Sequence, residues 1–522
     1  MGSKKIIAII IGTVLVVGGS VAAFVLLNLP AKQTYFLAEK NSAEFLVDKF
    51  EERYQPELDW MEVTQEKPFE TALELSAHYN DPNSGMGMGM FSPEQIINNS
   101  TLTITSAMDR DNKQLNSEIK ADIGGMEVGD ITFDLTADKV MLGLPFLEET
   151  LLLKEEDIGN LLKEIEPNTF TGNENFDFNT FFESNNMLSE DDLEYLKEEY
   201  ATLIYDELPD DAFTSTDETV NVSNETIDTE KIDFKLSEEE VKDLLTIVLN
   251  KMESDDRLKE ILKEQIVVQQ FGLGISASNL SPVMETEMDD FINEFESGLK
   301  EAQSALQDFH IPNGLRSTIW IKDDLIVKRD FSIEMGPSTE ELGTFTVQGS
   351  QLFTDVSQTF DYVIGVTDAY MDESVTVAGD LAWKDNKVSD SINLTAGGTE
   401  IIYEGTESLD DGKRDFERIF SMNDNNGEIG SFHWSGNATY QNDQMNSEHN
   451  LSIESPEISQ DMFGLTILTN AKAIQSVDIS SEENSKDIGI MSMDELMQYM
   501  ELEVTPQFQQ WMFSTMGAGG SF

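Results

Sequence analysis

The chain has 522 residues, 39% hydrophobic and 25% charged, so it carries apolar material for more than one core and is not disordered as a whole. Acidic residues number 100 against 33 basic, a formal charge of -67 that repels phosphates and anionic lipid head groups and excludes nucleic acid as a partner. The absence of cysteine removes disulfides, thiolate metal sites, iron–sulfur clusters and cysteine nucleophiles together.

The first segment, residues 1–30, begins with Lys4 and Lys5 and continues as an uncharged run from Ile6 to Leu27 through Ile11, Val17 and Phe24. As a helix this run measures about 33 Å at about 1.5 Å per residue, matching a bilayer core of about 30 Å. A cleaved signal peptide has a shorter apolar region, of about 7–15 residues, and "SVAAF" is a weak cleavage site. The run reads as a retained transmembrane signal anchor, with the lipid bilayer as partner along residues 6–27. The two lysines put the N-terminus inside. The expectation is a single-pass protein of the cell membrane whose bulk is extracytoplasmic.

Residues 31–167 form a first β-rich block with an N-terminal helix. Helical spacing runs from Lys32 to Tyr54 through Phe36, Ala43, Leu46, Val47 and Phe50, a helix expected to pack on the first outer domain. From Phe69 the period becomes two. "TALELSAHY", "STLTITS", "NSEIKADI", "DITFDLTA", "KVMLGLPF" and "ETLLLKEE" read as half-buried antiparallel strands, and "EEDIGNLLKEIEP" as an acidic helix. Between the first two strands lies "SGMGMGMFSP". Met86, Met88, Met90 and Phe91 fit three readings there: a mobile loop, an apolar contact tip, or a thioether Cu(I) site, which alternating glycine leaves without fixed geometry.

Residues 168–312 read as a helical insert with acidic loops. A connection rich in Asn and Phe leads to a helix capped by Ser189, then to an acidic surface excursion over residues 209–228 and the strand "KIDFKL". Ser237 and Glu240 are spaced as a capping box ahead of a stripe of Val241, Leu244, Leu245, Val248, Leu249 and Met252. A further helix opens at Pro282, with Met288, Phe291, Ile292, Phe295, Leu299, Ala302 and Leu306 on one face. Residues 313–522 are a second, larger antiparallel β block with C-terminal helices, its turns marked by Asp411-Gly412 and Asn426-Gly427. Both β blocks close on an acidic helix, which leaves duplication of one unit open.

No nucleophile elbow, zinc helix, phosphate loop or calcium loop is present, and His78, His310, His433 and His449 are not spaced as a metal pair. No catalytic residue, cofactor or metal is assigned, and the protein reads as non-enzymatic. "KQTYFLAEK", "LPFLEETLLLKEEDIGNLL" and "FKLSEEEVKDLLTIVLNKM", behind an N-terminal anchor, resemble uncharacterised membrane-anchored surface proteins of Gram-positive, bacillus-like bacteria. The strand blocks closed by helices also resemble the bacterial lipoprotein-carrier fold. That resemblance implies an α+β fold class, a transmembrane helix followed by large curved antiparallel sheets covered by helices, and a hydrophobic ligand or lipid held between sheet and helices. The alternatives are a structural or protein-interaction module of the cell envelope with a solid core, its protein partners unknown, and an extracytoplasmic enzyme without a recognisable motif.

Overall fold

The computed structural model describes residues 30–80, 92–167, 170–172, 176–182, 188–271 and 282–518. Helix α1 (Ala31–Glu66) is longer than its predicted span and kinks at Tyr54, two residues before Pro56, whose ring and missing N–H interrupt the helical ladder. Strand β1 (Phe69–Tyr79) follows, then helix α2 (Pro93–Asn98). A meander comes next: β2 (Thr101–Asp109), β3 (Gln114–Ile123), β4 (Met126–Thr136), β5 (Lys139–Gly143) and β6 (Thr150–Lys154). Helices α3 (Glu155–Ile165), α4 (Asn179–Phe182), α5 (Glu190–Leu196) and α6 (Thr202–Glu207) lead to β7 (Phe213–Val222) and β8 (Glu225–Leu236). The predicted acidic excursion is therefore a hairpin, turned at Ser223-Asn224 with both residues at positive φ.

Helices α7 (Glu238–Ser254), α8 (Asp256–Phe271) and α9 (Pro282–Asp308) precede the long array. That array runs through β9 (Leu315–Lys322), β10 (Leu325–Met335), β11 (Gly343–Thr354), β12 (Ser357–Thr367), β13 (Asp372–Lys384) and β14 (Lys387–Ala396). It continues through β15 (Thr399–Asp410), β16 (Lys413–Asp424), β17 (Gly427–Gln441), β18 (Gln444–Glu454) and β19 (Phe463–Ala473). The short β20 (Ser485–Asp487) and helices α10 (Met493–Tyr499) and α11 (Thr505–Ala518) end the described chain.

All 20 strands among the described residues belong to one sheet. It runs from β7 through β19 in sequence order. There β19 pairs antiparallel with β1, and the order continues from β1 to β6. β20 adds to β6 in parallel, and β7 and β20 are the two edges among the described residues. Tight turns with both central residues at positive φ, Asp323-Asp324, Asp385-Asn386, Asp411-Gly412 and Asn442-Asp443, match the twist of the strands they join.

The largest core lies at the β7–β11 end. Tyr35 and Phe36 of α1, Leu245 and Leu249 of α7, and Leu299 and Leu306 of α9 pack on Phe213, Phe234, Ile319 and Phe331 of the strands. Phe213 and Phe234 stack with centroids 4.4 Å apart. Each such side chain contributes about 1.5–3 kcal/mol on burial. The predicted capping box of α7 is present, and so is the one formed by Ser492 and Glu495 at α10. A second core at the other end sets Phe182 of α4 over Leu115 and Leu135.

These observations correct the expected fold class. One sheet runs through both predicted β blocks, because the alternating apolar face continues from strand to strand and β1 completes the array at β19. Helices pack at its two ends, and α1 crosses its middle, so the sheet as a whole is not helix-covered. No helix among the described residues is long and apolar enough to cross a membrane. The anchor positions Ile6, Ile11, Val17, Phe24 and Leu27 lie outside the described residues. Leu46, Val47 and Phe50 of α1, expected to pack inward, are exposed.

Candidate functional site

Helix α1 lies across the strands close to one row of turns. Ser42 Oγ accepts from the Ile326 amide at 2.9 Å at the start of β10. Phe45 meets the Phe353 ring at 4.8 Å at the end of β11. Farther on, Arg53 pairs with Asp390 at 2.8 Å and with Glu407 at 2.9 Å. Arg414 pairs with Glu57 at 2.6 Å, and Lys67, just past α1, reaches Asp443 at 2.7 Å.

Glu407 is the hub of this network. It also accepts from Arg414 at 2.8 Å and from Arg418 at 2.6 Å. Burial raises its carboxyl pKa, but the hydrogen bonds and charge of Arg53 and Arg418 outweigh that and hold it below the ordinary value. Asp390 is the reverse case: burial pushes its carboxyl up in spite of Arg53, and its Oδ1 has no hydrogen-bond partner. His449 accepts from Trp434 Nε1 at 3.1 Å, and burial with the nearby Arg418 charge keeps its pKa low.

Register shows what lies beside the network. Directly opposed residues share a face. Tyr362, Val377, Leu394, Ile401 and Met422 form one such row across β12–β16. Phe360, Gly379, Ile392, Tyr403, Phe420, Phe432 and Ile453 form the next, across β12–β18. Asp390, Glu407 and Arg414 sit on the same face, so α1 and both apolar rows share one side of the sheet. The other side carries rows such as Thr359, Asp380, Ser391, Glu404, Ile419, His433 and Ser452, which are mostly polar.

Away from α1 the apolar face is bare. Ile364, Val366, Ile401, Phe420, Met422, Phe432, Ile453 and Phe463 are each 36–42% exposed. At about 200 Å² per large side chain these leave on the order of 600 Å² of apolar surface, at the top of the range for the largest patch on a typical monomer. Glycines keep this floor low. A Cβ on Gly379 would stand 2.6 Å from the Phe360 ring, and one on Gly405 would stand 2.3 Å from the Tyr403 hydroxyl. Both aromatic side chains lie over space that a side chain would otherwise fill.

Charge is sorted along the strands. The basic residues between Gly336 and Met462 are Lys384, Lys387, Lys413, Arg414 and Arg418, all at the α1 end. The turns at the opposite end carry Glu340, Glu341, Asp368, Asp372, Asp424, Glu428, Glu454, Glu457 and Asp461 with no lysine or arginine. The α1 end thus mixes these basic residues with acidic ones such as Asp355, Asp385, Asp410 and Asp411, while the opposite turns are acidic without a basic residue. A cleft of about 340 Å³ beside α1 is lined by Lys49, Arg53, Trp383, Lys387 and Glu407. It is a charged cleft and not an apolar cavity.

The sequence reading marked none of these residues. Alternation over 11-residue strands was visible, but which strands are neighbours, and hence that the rows are continuous, was not. The scarcity of lysine and arginine between residues 336 and 462 was a readable signal that was not used. Met86, Met88, Met90 and Phe91 lie outside the described residues. Among the described residues no three His, Asp or Glu side chains are grouped to hold a metal.

No family model matches the chain, and no curated protein matches it. Among solved structures it is similar to OccK11 (OpdR) of Pseudomonas aeruginosa at 5% identity, covering 79% of this chain and 96% of that one with a TM-score of 0.24. It is similar to the outer membrane protein opdK of Pseudomonas aeruginosa at 7% identity, covering 78% and 99%, TM-score 0.22. A mutant of the Rh. blastica porin gives 6% identity, 78% and 99%, TM-score 0.21. The last two names are those of an outer membrane protein and a porin, and not of enzymes. Similarity at these TM-scores carries no argument about fold or activity.

The expected function is corrected with the fold. A single-pass, extracytoplasmic binder holding a lipid or other hydrophobic ligand between sheet and helices needs a spanning helix and a cavity. No described helix can span, and side chains fill the space between α1, α7, α9 and the strands. The bilayer partnership along residues 6–27 and the single-pass cell-membrane placement gain no support from the fold, since that run lies outside the described residues and no described helix can span.

Proposed function

We propose that this chain is a non-catalytic binding protein whose open apolar sheet face receives an elongated polypeptide partner laid across the strands. The observation that carries the reading is the pair of apolar rows over β12–β18, half exposed, on the face that α1 already partly occupies. An antiparallel sheet with one polar and one apolar face hides the apolar one against another layer. Here α1 supplies that layer along one side only. Strand β12 has 11 residues, which is about 36 Å of strand, and a helix takes up about 10 Å of it. Room remains beside α1 for a second rod of the same kind.

The sheet differs from a closed membrane barrel at its edges. Barrels put the apolar band outside, facing lipid, and close so that no edge is left unpaired. Here the apolar face holds a helix, and β7 and β20 are not paired with each other among the described residues.

The test is calorimetric titration of the protein with a neutral amphipathic peptide of about 20 residues, leucine on one face and glutamine on the other. Binding should show a negative heat-capacity change, the mark of apolar burial. The double variant Phe420→Ser/Phe432→Ser should lose it. Equal binding by that variant, or no binding by the parent protein, overturns the reading.

A further inference from the structure

We propose that the partner is a cationic amphipathic helix whose basic edge lies along the acidic rim opposite α1. This rests on the reading of the open face as a docking surface and names the chemistry of what docks there.

Three observations fix the class. The longer apolar row crosses seven strands, β12 to β18. At about 4.8 Å per strand that is about 29 Å, the length of a helix of about 19 residues. On the side next to α1, Arg53, Arg414 and Arg418 are paired with Glu57, Asp390 and Glu407, and the turn residues Asp355, Asp385, Asp410 and Asp411 are partly offset by Lys384, Lys387 and Lys413. The far rim is acidic and has no lysine or arginine to answer it. An occupant on the apolar floor therefore meets partly compensated acidity on the α1 side and uncompensated acidity at the opposite turns. Electrostatic complementarity selects a helix with lysine or arginine along one flank. An acidic helix, a second copy of this -67 chain and an anionic lipid surface are all repelled.

The probes are three 20-residue helical peptides with the same leucine face and a lysine, glutamine or glutamate flank, titrated into the whole chain. At 0.05 M salt the lysine peptide should bind roughly tenfold more tightly than the glutamine peptide, and most of that preference should vanish by 0.5 M salt. Removing four rim charges on the apolar side or in its turns (Asp368→Asn, Glu373→Gln, Asp424→Asn, Glu457→Gln) should remove the preference and leave binding of the glutamine peptide unchanged. Removing four charges on the polar face instead (Asp361→Asn, Asp380→Asn, Glu404→Gln, Glu417→Gln) should leave the preference intact. Equal affinity for lysine and glutamine peptides overturns this inference while the docking reading stands. So does a preference that follows total charge and not the rim. Failure of all three peptides overturns the docking reading itself. Dimerisation of the free protein that Phe420→Ser abolishes would make a second copy the occupant and overturn the cationic partner.

Discussion

Arg414 and Glu407 form an ion pair at 2.8 Å with only 4% and 1% of their side chains exposed, at the place where α1 crosses the sheet. Removing one member of a buried pair leaves the other unanswered, which costs about 3–5 kcal/mol. Arg53 and Arg418 keep some solvent contact, so Glu407→Gln should fall at the lower end, about 3 kcal/mol, read as a lower urea midpoint. Because the network holds the second half of α1, cleavage by trypsin after Lys49 should also quicken. Unchanged stability together with unchanged cleavage would show that α1 is held by other contacts.

The two carboxylates beside Arg53 should respond to pH with opposite sign. Glu407 has a folded pKa below its ordinary value of 4.5. Its contribution is full above 4.5 and is lost as pH falls through the lowered value. Asp390 has a folded pKa above 3.8, so its contribution is full below 3.8 and is lost as pH rises through the raised value. Urea midpoints across the acid range should show Glu407→Gln approaching the parent as pH falls, and Asp390→Asn gaining on the parent as pH rises. Parallel behaviour of the two variants would contradict the asymmetry.

The open band and the closed core should differ in what truncation costs. Leu299, almost fully buried between α9 and the strands, should cost about 2–5 kcal/mol as Leu299→Ala. Ile453, on the bare face, should cost about 1 kcal/mol or less as Ile453→Ser. A loss at Ile453 as large as the one at Leu299 would mean that the band is covered in solution.

Glycine spacing under the aromatic floor gives a further expectation. A Cβ on Gly436 would stand 2.0 Å from the Glu448 carbonyl oxygen, so Gly436→Ala must move a neighbouring strand. On Gly405 the nearest atom is the tip of Tyr403, which can swing away. Gly436→Ala should therefore lower the melting temperature clearly more than Gly405→Ala. Equal effects would place the backbone of β18 farther off than described.

Much of the local structure was legible. Ser237 with Glu240 announced a helix start because a cap needs only residues three apart. The stripe of α9 was correct at Met288, Ile292 and Leu299, while Phe291 is exposed. Long-range order was not legible. Nothing local says that Phe69–Tyr79 pairs with Phe463–Ala473, and that single pairing turns two blocks into one sheet. The acidic stretch 209–228 hid β7 because residues 214–219 of this edge strand are all exposed and show no alternation, with only Phe213, Val220 and Val222 buried at its ends. Helix α1 was mis-faced for a related reason. Its first turns dock through Tyr35 and Phe36, but the docked side of its second half is built from Arg53 and Glu57, charged residues that a hydrophobic pattern assigns to solvent.

The central claim is that the bare apolar face is a docking surface, and site-specific cross-linking tests it most directly. A benzophenone side chain placed at Ile453, on the apolar face, and separately at Ile402, on the polar face of β15, is irradiated with the 20-residue leucine–lysine peptide. The account predicts a peptide adduct from position 453 and none from 402. Adducts of equal yield from both positions, or an adduct from 402 alone, would contradict it.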